Sequence, residues 1–377
     1  MSNEKQDSKK ECCKKSAEGE LFQIIERREN TQPDWIEGFI VNGNRKIPVV
    51  SKTLKFSDRL DSWKARWSSF RMRFSIDPGL YAVGNPDAQS EVLVSANYKL
   101  SFDRLRSRLD GVNAWILVLD TKGINVWCSA GKGTFGTAEL VNRIKYEKLT
   151  ELISHRRLIL PQLSAPGVSA HKVKKDTGFR IIYGPVRAND IAAFLKNNKR
   201  ANPEMRRVRF NMSDRAVLIP MEMMQSVKYL LLVSLVFLLL SGLNSEGYIF
   251  NDIPDEGLNA VILMFIAYLS GGVLTPLLLP FIPGKAFSLK GLIVGIVLMG
   301  GIAIFSHKYP GLFRSNIDLL SWFFITPSIS SFLAMNFTGA STYTSLSGVK
   351  KEMRFAVPAQ IVLAVVGITL WVISQFI

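Results

Sequence analysis

The stretch from Ile124 to Thr137 reads INVWCSAGKGTFGT, and it gathers a thiol, a lysine and several glycines within a few residues. Cys128 stands apart from the chain's other cysteines, Cys12 and Cys13, which lie close to the N-terminus. A thiolate is a soft, strongly donating ligand and a good nucleophile, so a thiol between Trp127 and Ser129 has chemistry open to it. A cysteine beside a tryptophan can also serve only as a small buried hydrophobe. Gly131, Gly133 and Gly136 would let backbone approach a large, flat ligand, and Lys132 is either a solvated loop charge or a contact for that ligand's polar substituents.

Two phosphate-binding motifs can be tested against these glycines. A P-loop needs a glycine five positions before the Gly-Lys pair and a serine or threonine after the lysine, where Val126 and Gly133 stand. The dinucleotide spacing G-x-G-x-x-G is met by Gly131, Gly133 and Gly136. It leaves Trp127 and Cys128 unexplained, and no acid follows at the end of a next strand to hold a ribose.

The elements that must position Cys128 are legible around it. Ala114 to Asp120 is a short apolar run that predicts a buried parallel strand. Thr137 to Lys148 predicts a helix with Leu140, Val141, Ile144 and Leu149 on its apolar side. Cys128 then lies just beyond a strand's C-terminal end, in the crevice where open α/β sheets collect ligands.

The run Asn125-Val126-Trp127-Cys128-Ser129-Ala130-Gly131-Lys132 resembles the cap-helix motif of the membrane-bound corrinoid protein of microbial mercury methylation. That family usually shows Asn-Val/Ile-Trp-Cys-Ala-Ala/Gly-Gly-Lys. The segments EVLVSANYKLSFD (91 to 103), YGPVRANDI (183 to 191) and MNFTGASTYTSLSGVKKEM (335 to 353) also resemble that family, which is related to the corrinoid iron-sulfur protein of acetyl-CoA synthesis. The resemblance covers about Val50 to Ile377. It implies an α/β Rossmann-like corrinoid-binding domain followed by an all-α transmembrane domain of five helices.

It also implies a cobalamin or related corrinoid, with Cys128 as lower axial ligand to cobalt. Asn125, Val126, Trp127, Ser129, Ala130, Gly131, Lys132, Gly133 and Ser95 would then line the cofactor site. Asn125 would orient the cap helix and hydrogen-bond near the thiolate, and Trp127 would pack and exclude water. None of His155, His171 or His307 sits in the Asp-x-His-x-x-Gly motif that many cobalamin carriers use. Ser129 departs from the usual alanine and brings a hydroxyl near the thiolate, and Ser95 stands where threonine is frequent. The function implied is transfer of a methyl group from cobalt to thiolate-bound Hg(II), giving methylmercury. The methyl source would be a methylated folate or pterin, and the reductant a ferredoxin-like protein with two four-iron clusters, in an anaerobic cell.

Composition limits what else the chain can hold. It has 377 residues and three cysteines, too few thiolates for a four-iron cluster of its own, and the sparse cysteines argue against a disulfide-built secreted protein. MSNEKQDSKKECCKK is charged, lacks the apolar core of a secretion signal, and reads with the rest of 1–49 as a disordered or extended region. Cys12 and Cys13 within it are a candidate pair for Hg(II).

Domain boundaries follow at 50–205 for the corrinoid domain, 206–216 for a basic juxtamembrane linker and 217–377 for the membrane domain. Apolar runs at Val217 to Leu243, Leu258 to Ile282, Phe287 to Phe305, Ile317 to Phe337 and Phe355 to Ile377 approach the roughly 20 residues needed to cross a bilayer. Pro327 and a serine run interrupt the fourth. The loop from Asn244 to Gly257 is acidic, whereas the last inter-helix loop carries Lys350, Lys351 and Arg354, which predicts a cytoplasmic N-terminal domain and an outside C-terminus in the inner (plasma) membrane. Of the net charge of +16, nearly all precedes residue 217, including Arg206, Arg207, Arg209 and Arg215. Their juxtamembrane position points to anionic membrane lipids and an acidic protein partner rather than to nucleic acid. Two other functions stay open: a membrane-anchored corrinoid carrier for a different one-carbon acceptor, and a non-corrinoid regulatory domain on a transporter.

Overall fold

The computed structural model describes residues 24–27, 32–67, 74–250, 253–308, 311–340 and 346–377. Cys12 and Cys13, with the N-terminal tail, lie outside these residues, as do 341–345 of the polar run 335–353. The chain divides into two compact units, Met1–Ala65 with Phe70–Val208, and Arg66–Ser69 with Arg209–Ile377.

The N-terminal unit is a mixed α/β sheet. Its strands are β1 Ile24–Arg27, β2 Ile36–Asn42, β3 Arg45–Val50, β4 Gly79–Val83, β5 Glu91–Ala96, β6 Ala114–Leu119, β7 Arg157–Leu160 and β8 Arg180–Tyr183. Between them run α1 Phe56–Trp67, α2 Lys99–Arg106, α3 Val126–Lys132, α4 Thr137–Tyr146, α5 Leu149–Leu152 and α6 Ala170–Thr177, and α7 Ile191–Lys196 follows β8. The strand order is β1-β2-β3-β4-β6-β5-β7-β8. Strands β6, β5, β7 and β8 are mutually parallel, while β4 runs antiparallel to β6. The run from Ala114 is therefore a central strand, buried at every position, with a parallel neighbour on one side only.

Helices cover both faces of this sheet. On one face Leu140 and Ile144 of α4 and Val173 of α6 join Trp115 and Leu117 in the core, and on the other Phe102 of α2 and Phe194 of α7 meet Ile116 and Val118. The alternation of β6 between two cores is why its sequence is apolar throughout. The chain lays β6 to one side of β5 and β7 to the other, so its path reverses at the C-terminal end of β5.

The expected start of this domain at Val50 moves toward the N-terminus, because β2 and β3 form a hairpin inside the same sheet. Gly43, at φ +58, takes the first place of the two-residue turn, a conformation glycine adopts without strain. Arg45 ties the hairpin to the end of α4 through Glu147, at 3.1 Å. On the same side of the sequence, α1 is clamped by a buried charge cluster: Lys99 reaches Asp58 at 2.8 Å and Asp103 at 2.7 Å, and Arg106 reaches the same two acids at 2.8 Å each.

The second unit is helical, and among the described residues five helical segments are long and apolar enough to cross a membrane, at Met212–Leu240, Ile253–Leu278, Phe287–Ser306, Asn316–Asn336 and Gly348–Ser374. The helices are α8 Met212–Leu240, α9 Leu258–Leu269, α10 Thr275–Leu278, α11 Phe287–Ser306, α12 Asn316–Asn336 and α13 Leu346–Ser374. Ser270–Leu274, between α9 and α10, winds as a π-turn. The expected break at Pro327 does not occur: α12 runs through it. In α12, 61% of the apolar window is buried against 17% in the first and last spans, so α12 is the central stave. Its serines explain this, since Ser330 donates to the carbonyl of Gly291 at 2.7 Å and Ser331 accepts from Gln360 at 2.8 Å. Gly295 lets α11 approach closely, for a Cβ there would stand 2.6 Å from the Cα of Pro327.

The expected basic linker is shorter than 206–216, because α8 begins at Met212 with Asn211 as its N-cap. Arg215 does not face headgroups. It is 2% exposed and donates to the carbonyls of Phe210 at 2.7 Å and Leu277 at 2.9 Å, closing the end of α10.

Candidate functional site

The cavity of the N-terminal unit opens at the point where the strand order reverses. It has a volume of about 390 Å³ and is bounded by Ser95 at the end of β5, Pro161 after β7, Pro185 after β8 and Asn125 to Trp127 at the start of α3. Arg104 and Ser101 of α2 stand at its edge. The C-terminal ends of parallel strands on either side of such a reversal diverge, which leaves this crevice without further packing.

The turn that leads from β6 into α3 is held by Asn97, which directly follows β5. Its Oδ1 accepts from the backbone N–H of Thr121 at 3.0 Å, from Thr121 Oγ1 at 2.8 Å and from the N–H of Gly123 at 3.0 Å. Lys122 and Gly123 have φ of +56 and +69, so the chain turns sharply there. Asp120 adds to the clamp, its Oδ1 accepting from the N–H of Lys122 at 2.9 Å and its own N–H donating to Glu139 at 2.9 Å. Sequence reasoning misses Asn97, whose one sign is its place after the apolar run of β5.

Helix α3 begins on Asn125, whose Oδ1 accepts from the backbone N–H of Cys128 at 2.9 Å. This is an N-cap, and it takes up a donor that the first helical turn would leave open. The Ser129 hydroxyl does not stand free beside the thiol: it donates toward the carbonyls of Asn125 at 2.6 Å and Val126 at 3.1 Å and is wholly buried. Ala130 is also buried, and Val126 packs on the same core. Cys128, Gly131 and Lys132 occupy the exposed side of α3, and Cys128 is a free thiol.

Trp127 also borders the cavity. It is 40% exposed and lies on the cavity rim, because the inward side of α3 is already filled by Ser129 and Ala130.

The three glycines have separate duties. Gly133 closes α3 at φ +80. A Cβ at Gly136 would stand 2.5 Å from the carbonyl oxygen of Gly133, so that position serves the tight turn into α4. Gly131 has nothing within 4 Å of its would-be Cβ and no strained φ to require a glycine, so it borders open space. The loop after β7 supports α3 from below, where a Cβ at Gly167 would collide with the carbonyl of Phe135.

The remaining residues singled out in the sequence fall elsewhere or into supporting roles. Ser95 is 3% exposed and lines the cavity, donating weakly to the Ala96 carbonyl at 3.4 Å. Both ring nitrogens of His155 are used, one with the carbonyl of Ser90 at 3.0 Å and one with the N–H of Arg157 at 3.2 Å. Tyr183 donates to the carbonyl of Val168 at 2.8 Å, and burial pushes its phenol above the ordinary value.

Among the described residues no group of three or more His, Cys, Asp or Glu is arranged to hold a metal ion. The first residues of α3, Asn125 to Trp127, line the crevice, and the exposed thiol of Cys128 follows them on the same N-capped helix.

Residues 67–195 match a sequence family described as CdhD, the CO dehydrogenase/acetyl-CoA synthase delta subunit. The chain is also similar to the acetyl-CoA decarbonylase/synthase complex subunit gamma of Archaeoglobus fulgidus, at 30% identity over 130 residues, 34% of this chain and 27% of that protein. The same subunit of Methanocaldococcus jannaschii is 32% identical over 126 residues, 33% of this chain and 25% of that protein. For Methanopyrus kandleri the figures are 32% over 124 residues, 32% of this chain and 26% of that protein. The chain thus spans about a quarter of the length of these relatives. The family match takes in β4 to β8, the crevice and the whole of α3.

Proposed function

We propose that the N-terminal unit is a Rossmann-like corrinoid carrier, anchored by five membrane spans, that delivers a methyl group to Hg(II). The observation that carries this reading is the free thiol of Cys128 on an N-capped helix beside a crevice at the strand reversal, within the stretch similar to acetyl-CoA decarbonylase/synthase subunits. When bound, the corrinoid would supply a cobalt atom that accepts a methyl group from a methylated folate or pterin and yields it to thiolate-bound Hg(II).

The chain's own residues then have the following tasks. Cys128 would hold the cobalt through its sulfur. Asn125 fixes the backbone that carries this sulfur, and Asn97 fixes the turn from which α3 starts. Trp127 shields the rim of the crevice. Gly131 would leave room for the ring to approach α3, and Arg104 and Lys132 would meet its amide or phosphate substituents. A ferredoxin-like protein with two four-iron clusters serves as reductant, and the N-terminal unit lies on the cytoplasmic side.

A second reading is supported by the names of the relatives, which refer to acetyl-CoA and not to mercury. In it the same unit carries methyl groups to another one-carbon acceptor.

The test is anaerobic reconstitution of the full chain with cobalamin, comparing the visible spectrum of wild type and Cys128→Ala, followed by a methyl-transfer assay with Hg(II). A bound corrinoid whose bands move on losing Cys128, with methylmercury formed only by wild type, is expected. A folded chain that binds no corrinoid overturns the carrier, and binding without methylmercury formation leaves the second reading.

A further inference from the structure

The helical unit holds a cavity of its own, at the end of the bundle where α8 and α13 finish and α12 begins. Its volume of about 470 Å³ falls within the roughly 300–1,000 Å³ usual for small-molecule sites. The wall carries the carboxylates of Asp255, Glu256 and Asp318 against one cation, Arg314. That cation is already committed, for its Nη1 donates to Glu256 at 2.8 Å and to Gln375 at 3.3 Å. Asp318 is 7% exposed, and its Oδ2 accepts from the backbone N–H of Arg314 at 3.1 Å. The other oxygen, Oδ1, is buried and has no hydrogen-bond partner. The indole of Trp322 approaches the same carboxyl without supplying one to Oδ1.

A carboxylate buried in a unit built of spanning helices is stable only beside a positive group or with a proton of its own. The donor set does not suit a metal ion, since among the described residues no group of three or more His, Cys, Asp or Glu is arranged to hold one. The wall also contains the rings of Phe313, Trp322 and Trp371. Phe237 of α8 packs on both indoles, with ring centroids 5.9 Å from Trp322 and 4.5 Å from Trp371, so these side chains are set in place by the core. Aromatic rings attract a weakly hydrated organic cation, and a carboxylate accepts hydrogen bonds from its N–H groups. Asn259 braces the rim by donating to the carbonyl of Gly311 at 2.9 Å.

We propose that this cavity binds an organic ammonium ion, with the Asp318 carboxylate as its counter-ion, Asp255 and Glu256 adding negative potential, and Trp322 and Trp371 forming the aromatic wall. The group recognised is the ammonium, which a free amine and the headgroup of an aminophospholipid both present. One such ion would join the second, fourth and fifth spans, which supply Glu256, Asp318 and Trp371. Every residue of the site belongs to the helical unit, so nothing in it depends on a corrinoid in the other.

The test is thermal unfolding of the full chain in detergent, titrated with ethylammonium chloride and, at matched ionic strength, with sodium chloride. A parallel series uses nanodiscs of phosphatidylglycerol, which has no ammonium, with and without phosphatidylethanolamine. Ethylammonium should raise the unfolding temperature saturably where sodium does not. Asp318→Asn keeps the shape of the side chain and removes its charge, and should weaken the apparent affinity at least about tenfold. Asp255→Asn, at an exposed position of the wall, should weaken it as well, and decides the matter if Asp318→Asn does not fold. Stabilisation by phosphatidylethanolamine that Asp318→Asn removes, with no effect of ethylammonium, assigns the ammonium to lipid and supports the site. Equal effects of sodium and ethylammonium, or an ethylammonium effect unchanged in both variants, overturn the proposal. No effect of either ammonium source means that a proton or water alone satisfies Asp318, and overturns it too.

Discussion

Replacing Cys128 with alanine removes an exposed sulfur and no packing, so its effects separate chemistry from stability. The unfolding temperature of Cys128→Ala should stay close to that of wild type while the thiol-dependent shift of the corrinoid bands disappears. Asn125→Ala removes the N-cap of α3 and should cost about 0.5–2 kcal/mol, read as faster amide exchange at Cys128 with the corrinoid still bound but the band position broadened. Ser129→Ala is the contrasting case. Its hydroxyl is spent on the carbonyls of Asn125 and Val126, so stability should change by less than about 1 kcal/mol and the bands should not move. The residues legible in the sequence are those whose partners are near in sequence, Asn125 with Cys128 above all. Asn97 is not legible, because its three acceptor contacts are made to a turn 24 or more residues away, and only the pairing of β5 with β6 brings them together.

At the scale of elements, the five candidate spans can be read because a bilayer demands long apolar runs, and the same runs recur as helices. The continuity of α12 cannot, since Pro327 and its neighbouring serines look like a break until α11 and α13 supply their partners. The hairpin of β2 and β3 carries a signal in Asn42-Gly43-Asn44 that the polar alternation around it obscures. Helix α3 depends on the positive φ of Gly133, and Gly133→Ala should destabilise its C-terminal end by about 1 kcal/mol, measurable by thermal unfolding. The clamp on α1 gives a pH dependence. Burial alone would raise the Asp58 carboxyl, but hydrogen bonds from Lys99 and Arg106, together with their charges, outweigh it and hold the group below its ordinary value. Its contribution is therefore complete above the ordinary carboxylate range and is lost as pH falls through its depressed value. Glu147 has the opposite sign, since burial raises its carboxyl despite Arg45 and Arg143, so its cost appears as pH rises through the ordinary carboxylate range to the raised value. Thermal unfolding followed from pH 7 to pH 3 should show a loss at the acid end that Asp58→Asn lacks, and at neutral pH that variant should already be weaker by about 3 kcal/mol.

For the molecule as a whole, two units with separate cores predict separate behaviour on dissection. A fragment covering residues 32–208 should fold cooperatively, whereas one beginning at residue 51 loses β2 and β3, exposes the edge of β4 and should unfold at lower temperature or aggregate. Circular dichroism on the two fragments decides the point. The division also bears on the π-turn at Ser270–Leu274, which sits against α12 through Gly271. A π-turn holds one residue more than a regular helical turn and takes it up locally, leaving the flanking turns in register. Deleting a single residue there should therefore return the segment to a regular helical turn with the residues after it still in register. Thr275 and Pro276 would stay inward, and Arg215 would keep the carbonyl of Leu277 as its acceptor. The π-turn is thus a place where this span can lose one residue without unseating Arg215.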